Sequence, residues 1–429
     1  MRQMKDSGTQ GIGLIPQSWD SKQLGVFFSE NRKANSYLES VTALQFKYGE
    51  IIQKPNNGRD LSDKDKELLS KYTVINPGDV VVNGLNLNFD LKSLRIAIAR
   101  ENGIITSAYI VLRPRKGVNP EYYNYLLKAL DFQKILHGMG EGIRLTLSYD
   151  ELKKLNVPAP DAAIQTAIVS YLDTKCGEID SLIALQEQMI EKLKAYKQSV
   201  ITEGVTKGLD PNAKLVPSGI DWIGEIPEGW QNIRLKDIFI LKTGTTPKSF
   251  EEGLNEDDSL VNWFTPSDVS EQNCILTQSD RHLNRKVVEK EGIKLYPVGS
   301  LIFVGIGASA GKIGYAAVEG YSNQQITALI PRKGQMYSKY FYYYMLADSR
   351  RIRDNAFFTT LPIINNGYLS GISILNPPLF EQHSISAYLD EKCADIDRLI
   401  FLKQQKIEAL KDYKRSVIYE AVTGKTIIE

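Results

Sequence analysis

Residues 168–203 read IVSYLDTKCGEIDSLIALQEQMIEKLKAYKQSVITE, and the chain contains this segment twice. It returns 217 residues later, as residues 385–420, in the form ISAYLDEKCADIDRLIFLKQQKIEALKDYKRSVIYE. More than half of the aligned positions are identical. Similarity of this degree over one long segment indicates an internal duplication, which sets the frame for the remaining sequence.

Both copies carry an apolar stripe at spacings of three, four and seven residues, which predicts one long helix in each. The stripes consist of Ile179, Ile183, Ile190, Leu193 and Val200, and of Ile396, Ile400, Ile407, Leu410 and Val417. Only a short segment follows the first helix before the second half begins, and short connections favour antiparallel neighbours. We therefore predict that the two stripes form the seam of an antiparallel coiled coil.

The duplication extends beyond these helices. The segments that open the two halves match at Ile12, Gly13, Ile15, Pro16 and Trp19, and at Ile223, Gly224, Ile226, Pro227 and Trp230. Later, the sequence Pro-Arg-Lys-Gly occurs at residues 114–117 and again at 331–334, each time before a predicted helix. Asn119 is expected to cap the first of these helices, with Pro120 in its first turn, and Ser338 to cap the second.

Between these matching segments the two halves diverge into short predicted strands broken by Gly and Asn loops. The strands are expected at residues 79–82, 95–99 and 104–112, and at 301–304, 315–318 and 327–330. The prediction is an α+β fold with an internal pseudo-two-fold duplication. Two globules, residues 1–163 and 209–380, alternate with two helical spacers, residues 164–208 and 381–429.

Composition limits the possible functions. The 429 residues are 42% hydrophobic and 24% charged, as in ordinary globular proteins, and the net charge of +1 excludes a uniformly basic nucleic-acid binder. Three Cys and three His give neither a disulfide framework nor a metal site. No apolar run reaches membrane-spanning length, so the sequence predicts a reducing, cytoplasmic setting without a membrane partner.

The loop GIGASAGKIG, residues 305–314, partly matches three enzyme motifs. A dinucleotide fingerprint and a nucleophile elbow both require a helix after the loop, yet the following KIGYAAV is typical of a strand. A phosphate-binding loop requires Ser or Thr where Ile313 stands. We therefore interpret the segment as a glycine-rich β-loop that could approach a phosphate backbone.

Two further motifs have structural explanations. Asn376-Pro377-Pro378 resembles part of an amino-methyltransferase motif, but Leu379 occupies its aromatic position and no methyl-donor loop precedes it. Proline before a predicted helix is sufficient to explain this segment. The aromatic run at residues 340–344 could stack on bases, but on a helix its side chains face several directions, which favours core packing.

Polar strand–loop segments in each half are the better candidates for binding nucleic acid, because Asn, Gln, Arg and Lys pair with base edges or reach phosphates. The candidates in the first half are Asn86, Asn88, Lys92, Arg95 and Arg144. Those in the second half are Ser309, Lys312, Asn323, Gln324, Gln325, Thr359, Thr360, Asn365 and Asn366. The sequence predicts no catalytic residues and no metal ligands.

Three features carry a family resemblance: the repeat, the Trp-bearing segment that opens each half, and the proline-led helix starts that end in Gln165 and Gln382. With these features, the chain resembles the specificity subunit of bacterial type I restriction–modification systems. Residues 91–114 and 311–318 are similar to the cores of its target-recognition domains. The resemblance covers essentially the whole chain. It implies two target-recognition domains, two helical spacers and a bipartite, asymmetric double-stranded DNA site.

The resemblance also implies that the chain is not itself an enzyme and binds no cofactor. Two modification subunits would hold S-adenosylmethionine, and restriction subunits would use ATP and Mg²⁺. Two alternatives remain open at this stage. One is a single-chain DNA methyltransferase or nuclease, which would need a catalytic motif that we do not find. The other is a coiled-coil scaffold that binds only protein, which salt-dependent DNA binding would exclude.

Overall fold

The structure is a computed structural model of the chain. It describes residues 3–9, 11–47, 49–55, 62–88, 93–140, 145–248, 259–270, 274–332, 334, 336–355, 357–358 and 362–428. The chain divides into two compact units. Unit 1 comprises Met1–Glu187 with Gln404–Glu429, and unit 2 comprises Gln188–Lys403. Each unit therefore contains part of residues 168–203 and part of residues 385–420, the two copies of the duplicated segment.

Unit 1 combines short strands with a few helices. Its strands are β1 Met4–Asp6, β2 Leu14–Pro16, β3 Asp20–Gln23, β4 Phe28–Glu30, β5 Leu44–Lys47, β6 Glu50–Gln53, β7 Thr73–Ile75, β8 Val80–Val82, β9 Ile96–Ile98, β10 Gly103–Ile105, β11 Ile110–Pro114 and β12 Asn156–Ala159. Its helices are α1 Asp63–Ser70, α2 Pro120–Phe132, α3 Tyr149–Leu152 and the start of α4 Ala162–Lys207, with 3-10 turns at Leu24–Val26 and Ile135–Gly138.

The central sheet of unit 1 is antiparallel, with the strand order β4-β11-β8-β9. Strand β8 is buried on both faces. Val80 and Val82 belong to the core that includes Tyr122 and Leu126 of α2, whereas Val81 belongs to a second cluster with Leu44 and other residues. Alternate side chains of a strand point to opposite faces, so an all-valine strand suits a sheet covered on both sides.

Unit 2 repeats this arrangement with additions. Its strands are β13 Leu215–Pro217, β14 Glu225–Pro227, β15 Gln231–Arg234, β16 Phe239–Thr243, β17 Leu260–Phe264, β18 Cys274–Leu276, β19 Arg281–Asn284, β20 Leu301–Val304, β21 Ile313–Ala316, β22 Tyr321–Ser322, β23 Ile326–Pro331, β24 Phe357–Phe358, β25 Pro362–Ile363 and β26 Ser373–Asn376. Its helices are α5 Leu235–Ile238, α6 Arg285–Lys290, α7 Ser338–Asp354, α8 Asn366–Gly371 and part of α9 Leu379–Val422.

The central sheets of the two units have matching strand orders. The unit 2 order β16-β23-β20-β21 corresponds strand for strand to the unit 1 order, and β18 adds a parallel strand beside β21. The pair β15–β26 likewise corresponds to β3–β12 in unit 1. The duplication therefore includes the middle segments, where the two sequences no longer resemble each other.

The long helices run antiparallel within each unit. In unit 1, Asp180 of α4 pairs with Lys414 of α9 at 2.7 Å. In unit 2, Lys197 of α4 pairs with Asp397 of α9 at 2.7 Å. Asp180 and Asp397 are repeat equivalents, as are Lys197 and Lys414, so the two ion pairs are the same interaction made twice. The predicted antiparallel pairing is confirmed.

Hydrogen bonds from the tyrosines of α2 and α7 repeat in the same way. The Tyr122 hydroxyl donates to the Val422 carbonyl at 3.1 Å in unit 1, and the Tyr340 hydroxyl donates to the Val205 carbonyl at 2.9 Å in unit 2. All residues of the aromatic run 340–344 are buried, as the core-packing interpretation predicted. Buried phenol groups need an acceptor, and the turn that ends each long helix supplies one.

Two local predictions are wrong. Residues 104–112 form two strands, β10 and β11, separated by the turn at residues 106–109. Ser338 does not cap α7: Tyr337 is the capping residue and Ser338 is the first residue of the helix. Asn119 does cap α2, because its side chain accepts a hydrogen bond from the Tyr122 amide and Pro120 follows it. The middle strands are otherwise found near their expected positions.

Candidate nucleic-acid interface

Equivalent loops of the two units carry several of the predicted binding residues. Residues 83–95 connect β8 to β9 in unit 1, and residues 305–312 connect β20 to β21 in unit 2. The two loops leave corresponding strands of matching sheets, so each unit presents one of them at the same place in its fold. Lys92, Arg144, Thr359 and Thr360 lie outside the described residues.

The unit 1 loop presents two exposed asparagines. Asn86 has a φ of 52°, in the left-handed region that Asn tolerates better than most residues, and its side chain is exposed. Asn88 is also exposed. Both are short amides on a turn, which suits hydrogen bonding to a base edge.

Arg95, which we predicted as a contact residue, is instead buried beneath this loop. Its side chain is only 2% exposed. Nη1 donates to the Asn83 and Leu85 carbonyls at 3.2 and 2.7 Å, and Nη2 donates to the Asn86 carbonyl at 3.4 Å. A guanidinium used on three backbone carbonyls cannot also reach a base, so Arg95 holds the loop in shape.

Asp131 of α2 holds the backbone of Arg95 through a hydrogen bond. Its Oδ2 accepts a hydrogen bond from the Arg95 backbone amide at 2.7 Å. Burial is the main reason that the pKa of this carboxyl is raised above its ordinary value, and the Arg95 amide opposes that shift. The loop is thus supported by the helix through two buried residues.

Replacing Arg95 with Met should destabilise unit 1 by about 3 kcal/mol, because three partly buried carbonyls lose charged donors. The loop amides at residues 83–88 should also exchange with solvent faster. Thermal unfolding and hydrogen exchange would measure both effects. Arg100→Met is the matched control, because Arg100 is exposed and paired with Glu121, and exposed pairs contribute about 0–1 kcal/mol. Equal destabilisation by both variants would contradict a supporting role for Arg95.

In unit 2, several predicted residues meet at a cleft of about 290 Å³, here called the unit 2 cleft. It is lined by Thr265, Pro266, Ser267, Arg281, Ile306, Gly307, Ala308, Ser309, Asn323 and Gln325. Of the second-half candidates, the structure brings together Ser309, Asn323 and Gln325. Two strand ends and the glycine-rich loop contribute to the walls.

The other described candidates of the second half lie outside the lining of this cleft. Gln324 is exposed and its Oε1 accepts from the Thr246 hydroxyl at 2.6 Å. Asn366 joins Thr327 and Thr243 through hydrogen bonds of 2.8 and 2.9 Å. Asn365 caps α8, and Lys312 is half-buried. Asn365 and Asn366 therefore have structural roles at the start of α8.

Sequence reasoning missed Thr265, Ser267 and Arg281. Asp268 organises the segment that contains the first two: its Oδ2 accepts from the Thr265 amide and hydroxyl, both at 2.7 Å. Its Oδ1 accepts from the Asp280 amide at 2.7 Å. The only sequence signal was a Thr-Pro-Ser-Asp turn pattern at residues 265–268.

The predicted seam residues are largely buried. Ile179, Ile190, Val200, Ile396, Ile400, Ile407 and Val417 are buried, and Ile183, Leu193 and Leu410 are half-buried. Cys176 and Cys393 lie buried on the same helices, and burial raises the pKa of the Cys393 thiol to about 11. A thiol with so high a pKa is a poor nucleophile, so packing explains both cysteines.

A second apolar set on the long helices is exposed and also repeated. Unit 1 exposes Leu182, Leu185 and Tyr413, and unit 2 exposes their equivalents Leu399, Leu402 and Tyr196; each is between 44% and 58% exposed. We call each set a helix patch. Exposed leucine and tyrosine side chains that recur at equivalent positions of two long helices are typical of a surface that another protein covers.

Metal and membrane features are absent from the described part of the chain. No group of three or more His, Cys, Asp or Glu residues there could hold a metal ion. None of the described helices is both long and apolar enough to span a membrane.

The duplicated fold is similar to that of known DNA-specificity proteins. Residues 227–412 match the family described as type I restriction modification DNA specificity domain. The MjaX specificity subunit of Methanocaldococcus jannaschii is 23% identical, over 96% of this chain and 95% of that protein. The type I restriction enzyme StySPI specificity subunit of Salmonella potsdam is 22% identical, over 96% and 90%.

A solved structure that concerns complex assembly and conformational transition of the type I restriction–modification system has the same fold. Its TM-score is 0.72 with 17% identity, and the match covers 96% of this chain and 99% of that one. Along nearly its whole length, the chain is similar to the specificity subunits of type I restriction–modification systems. The names of these relatives give them a specificity role in such systems.

Proposed function

We propose that the chain reads a bipartite, asymmetric double-stranded DNA site, with one half-site for each recognition domain. The observation that carries this proposal is the pair of equivalent loops: they leave corresponding strands of matching sheets but differ in length and sequence. Matching scaffolds suit one mode of docking on DNA, and different side chains suit two different half-site sequences.

In this scheme, residues 1–163 and 209–380 are the recognition domains, and residues 164–208 and 381–429 are the spacers. The buried stripes of the spacers support their role as a helix-pair seam. Helices joined by such a seam have a fixed length, so the spacers would set the number of base pairs between the half-sites. The chain's near-neutral net charge means that its attraction for phosphate is confined to local surfaces.

Two modification subunits would dock on the chain, and the helix patches are their proposed docking surfaces. Because the two patches use equivalent residues, they can receive two copies of one partner. The modification subunits would supply S-adenosylmethionine, and restriction subunits would supply the ATP- and Mg²⁺-dependent activity. The chain itself would hold no cofactor. The complex would act in the cytoplasm, where the DNA is.

The purified chain should transfer no methyl group to DNA by itself, and methylation should begin only when a modification subunit is added. Incorporation of labelled methyl groups into genomic DNA, followed by mapping of the methylated sites, would measure this. Adding the modification subunit without this chain is the control and should also give no site-specific methylation. Methyl transfer by the isolated chain would contradict the proposal, as would DNA binding by the complex that does not depend on salt.

A further inference from the structure

The polar side chains of the unit 2 cleft chiefly offer hydrogen-bond donors. Arg281 is exposed on β19, and its guanidinium has no ion pair or hydrogen bond with any described residue. Among the described residues, no carboxylate lines the cleft, and the nearby Asp268 already accepts from the Thr265 and Asp280 amides and the Thr265 hydroxyl. The cleft therefore presents a positive, multiply donating group to solvent.

The Asn323–Gln325 pair adds a second donor in a fixed orientation. Gln325 Oε1 accepts from Asn323 Nδ2 at 3.1 Å, and Asn323 Oδ1 accepts from the Gln325 backbone amide at 3.1 Å. These two bonds determine which way each amide faces. Gln325 Nε2 is then left to donate, and it lies beside Gly307, 3.6 Å from the position that a Cβ there would occupy.

The glycine-rich wall offers few free hydrogen-bond acceptors, because several of its carbonyls already accept hydrogen bonds. The Gly307 carbonyl accepts from the Ala310 amide at 2.9 Å, the Ser309 carbonyl from the Lys312 amide at 3.2 Å, and the Gln325 carbonyl from the Gly305 amide at 2.8 Å. Gly307 has a φ of 103°, a conformation that favours glycine, and the absence of a side chain there leaves room at this wall of the cleft. The hydroxyls of Ser267 and Ser309 can donate or accept, so they do not decide the preference.

We propose that the unit 2 cleft reads a guanine in its half-site, with Arg281 as the principal specificity-determining residue and Gln325 Nε2 as a supporting donor. This inference rests on the proposed function. In the major groove guanine presents two acceptors, O6 and N7, whereas adenine presents an acceptor and a donor, and cytosine presents a donor. A cleft whose side chains chiefly donate therefore matches guanine best.

A backbone phosphate is the other acceptor-rich group that such a cleft could contact. A base contact and a phosphate contact differ in how their loss affects binding to different sequences. Loss of a base contact relaxes discrimination at one position, whereas loss of a phosphate contact weakens binding to all sequences alike. The test therefore compares duplexes that differ by one base pair, with the complete chain assembled with its modification subunits.

The methylated site of the unaltered complex is first mapped, and binding is then measured for every single-base-pair change in both half-sites. Arg281→Ala should lower discrimination at one G·C pair of one half-site by roughly ten- to a hundredfold, and Gln325→Leu should lower it at the same pair by less. His282→Ala is the matched control: His282 is the next residue on β19, exposed, and not part of the cleft lining. It should leave discrimination unchanged.

The other half-site serves as an internal control for folding and assembly, because its discrimination should not change in any variant. A uniform loss of affinity in Arg281→Ala would overturn the proposal in favour of a phosphate contact. Relaxation at an A·T pair, or no change, would overturn it as well. If the unaltered complex showed no bipartite site at all, the proposed function itself would fail, and that result is seen before any variant is made.

Discussion

A chimera in which residues 244–365 come from a relative with a different target should methylate a site with one new half-site. The other half-site and the spacing should be those of the original protein. The exchanged segment contains the whole lining of the unit 2 cleft, whereas β15, β16, β26 and both long helices stay in place. Base contacts are local, and each contributes about 1–3 kcal/mol, so replacing several should switch the preference completely.

Sequencing of methylated genomic DNA from cells that carry the chimera and its modification subunit would give the result directly. The reciprocal exchange of residues 31–147 is the control, because it replaces the loop that Arg95 holds and leaves unit 2 unchanged. It should switch the opposite half-site. If either exchange altered both half-sites, or the distance between them, the assignment of one half-site to each domain would be wrong.

Ile179→Asp should destabilise unit 1 by about 3–5 kcal/mol and prevent assembly with the modification subunit. The Ile179 side chain is 3% exposed between the long helices, and an aspartate there would be buried without a partner or would force the helices apart. Leu182→Asp is the matched control, one turn away on the same helix, in the exposed helix patch. It should leave stability nearly unchanged but weaken docking of the modification subunit.

Thermal unfolding of the two variants, together with size-exclusion chromatography in the presence of the modification subunit, would separate the seam from the helix patch. The assignments require that Ile179→Asp unfolds at a clearly lower temperature than Leu182→Asp. They also require that Leu182→Asp remains folded while its assembly is impaired. Equal unfolding temperatures would show that Ile179 is not in a seam, and normal assembly of Leu182→Asp would show that its patch is not a docking surface.

The parts of the fold that the sequence predicted are those in which local pattern and tertiary contact agree. The long helices were predictable because their apolar stripes repeat over many turns in both copies. Residues 104–112 were mistaken for one strand because the turn between β10 and β11, Thr-Ser-Ala-Tyr, contains neither glycine nor proline. The matching sheets escaped detection because many apolar combinations can fill one strand position once the pairing is fixed.

The candidate interface was predictable as segments but not as individual side chains. Arg95 lies in a polar segment and was taken for a surface residue, yet three loop carbonyls need its donors in the interior. Arg281 precedes His282 and the buried Leu283 in a stretch without a motif, so nothing local marked it. Its place in the cleft depends on the pairing of β19 with β17, which residue spacing does not reveal.

The repeated ion pairs of the long helices need not be equal in energy. The Lys197 side chain is 5% exposed in its pair, whereas the equivalent Lys414 is 30% exposed. Dissolved ions screen exposed charges much more than buried ones, so rising ionic strength weakens the Asp180–Lys414 attraction first. Two interactions built from the same residues thus respond differently to dissolved salt.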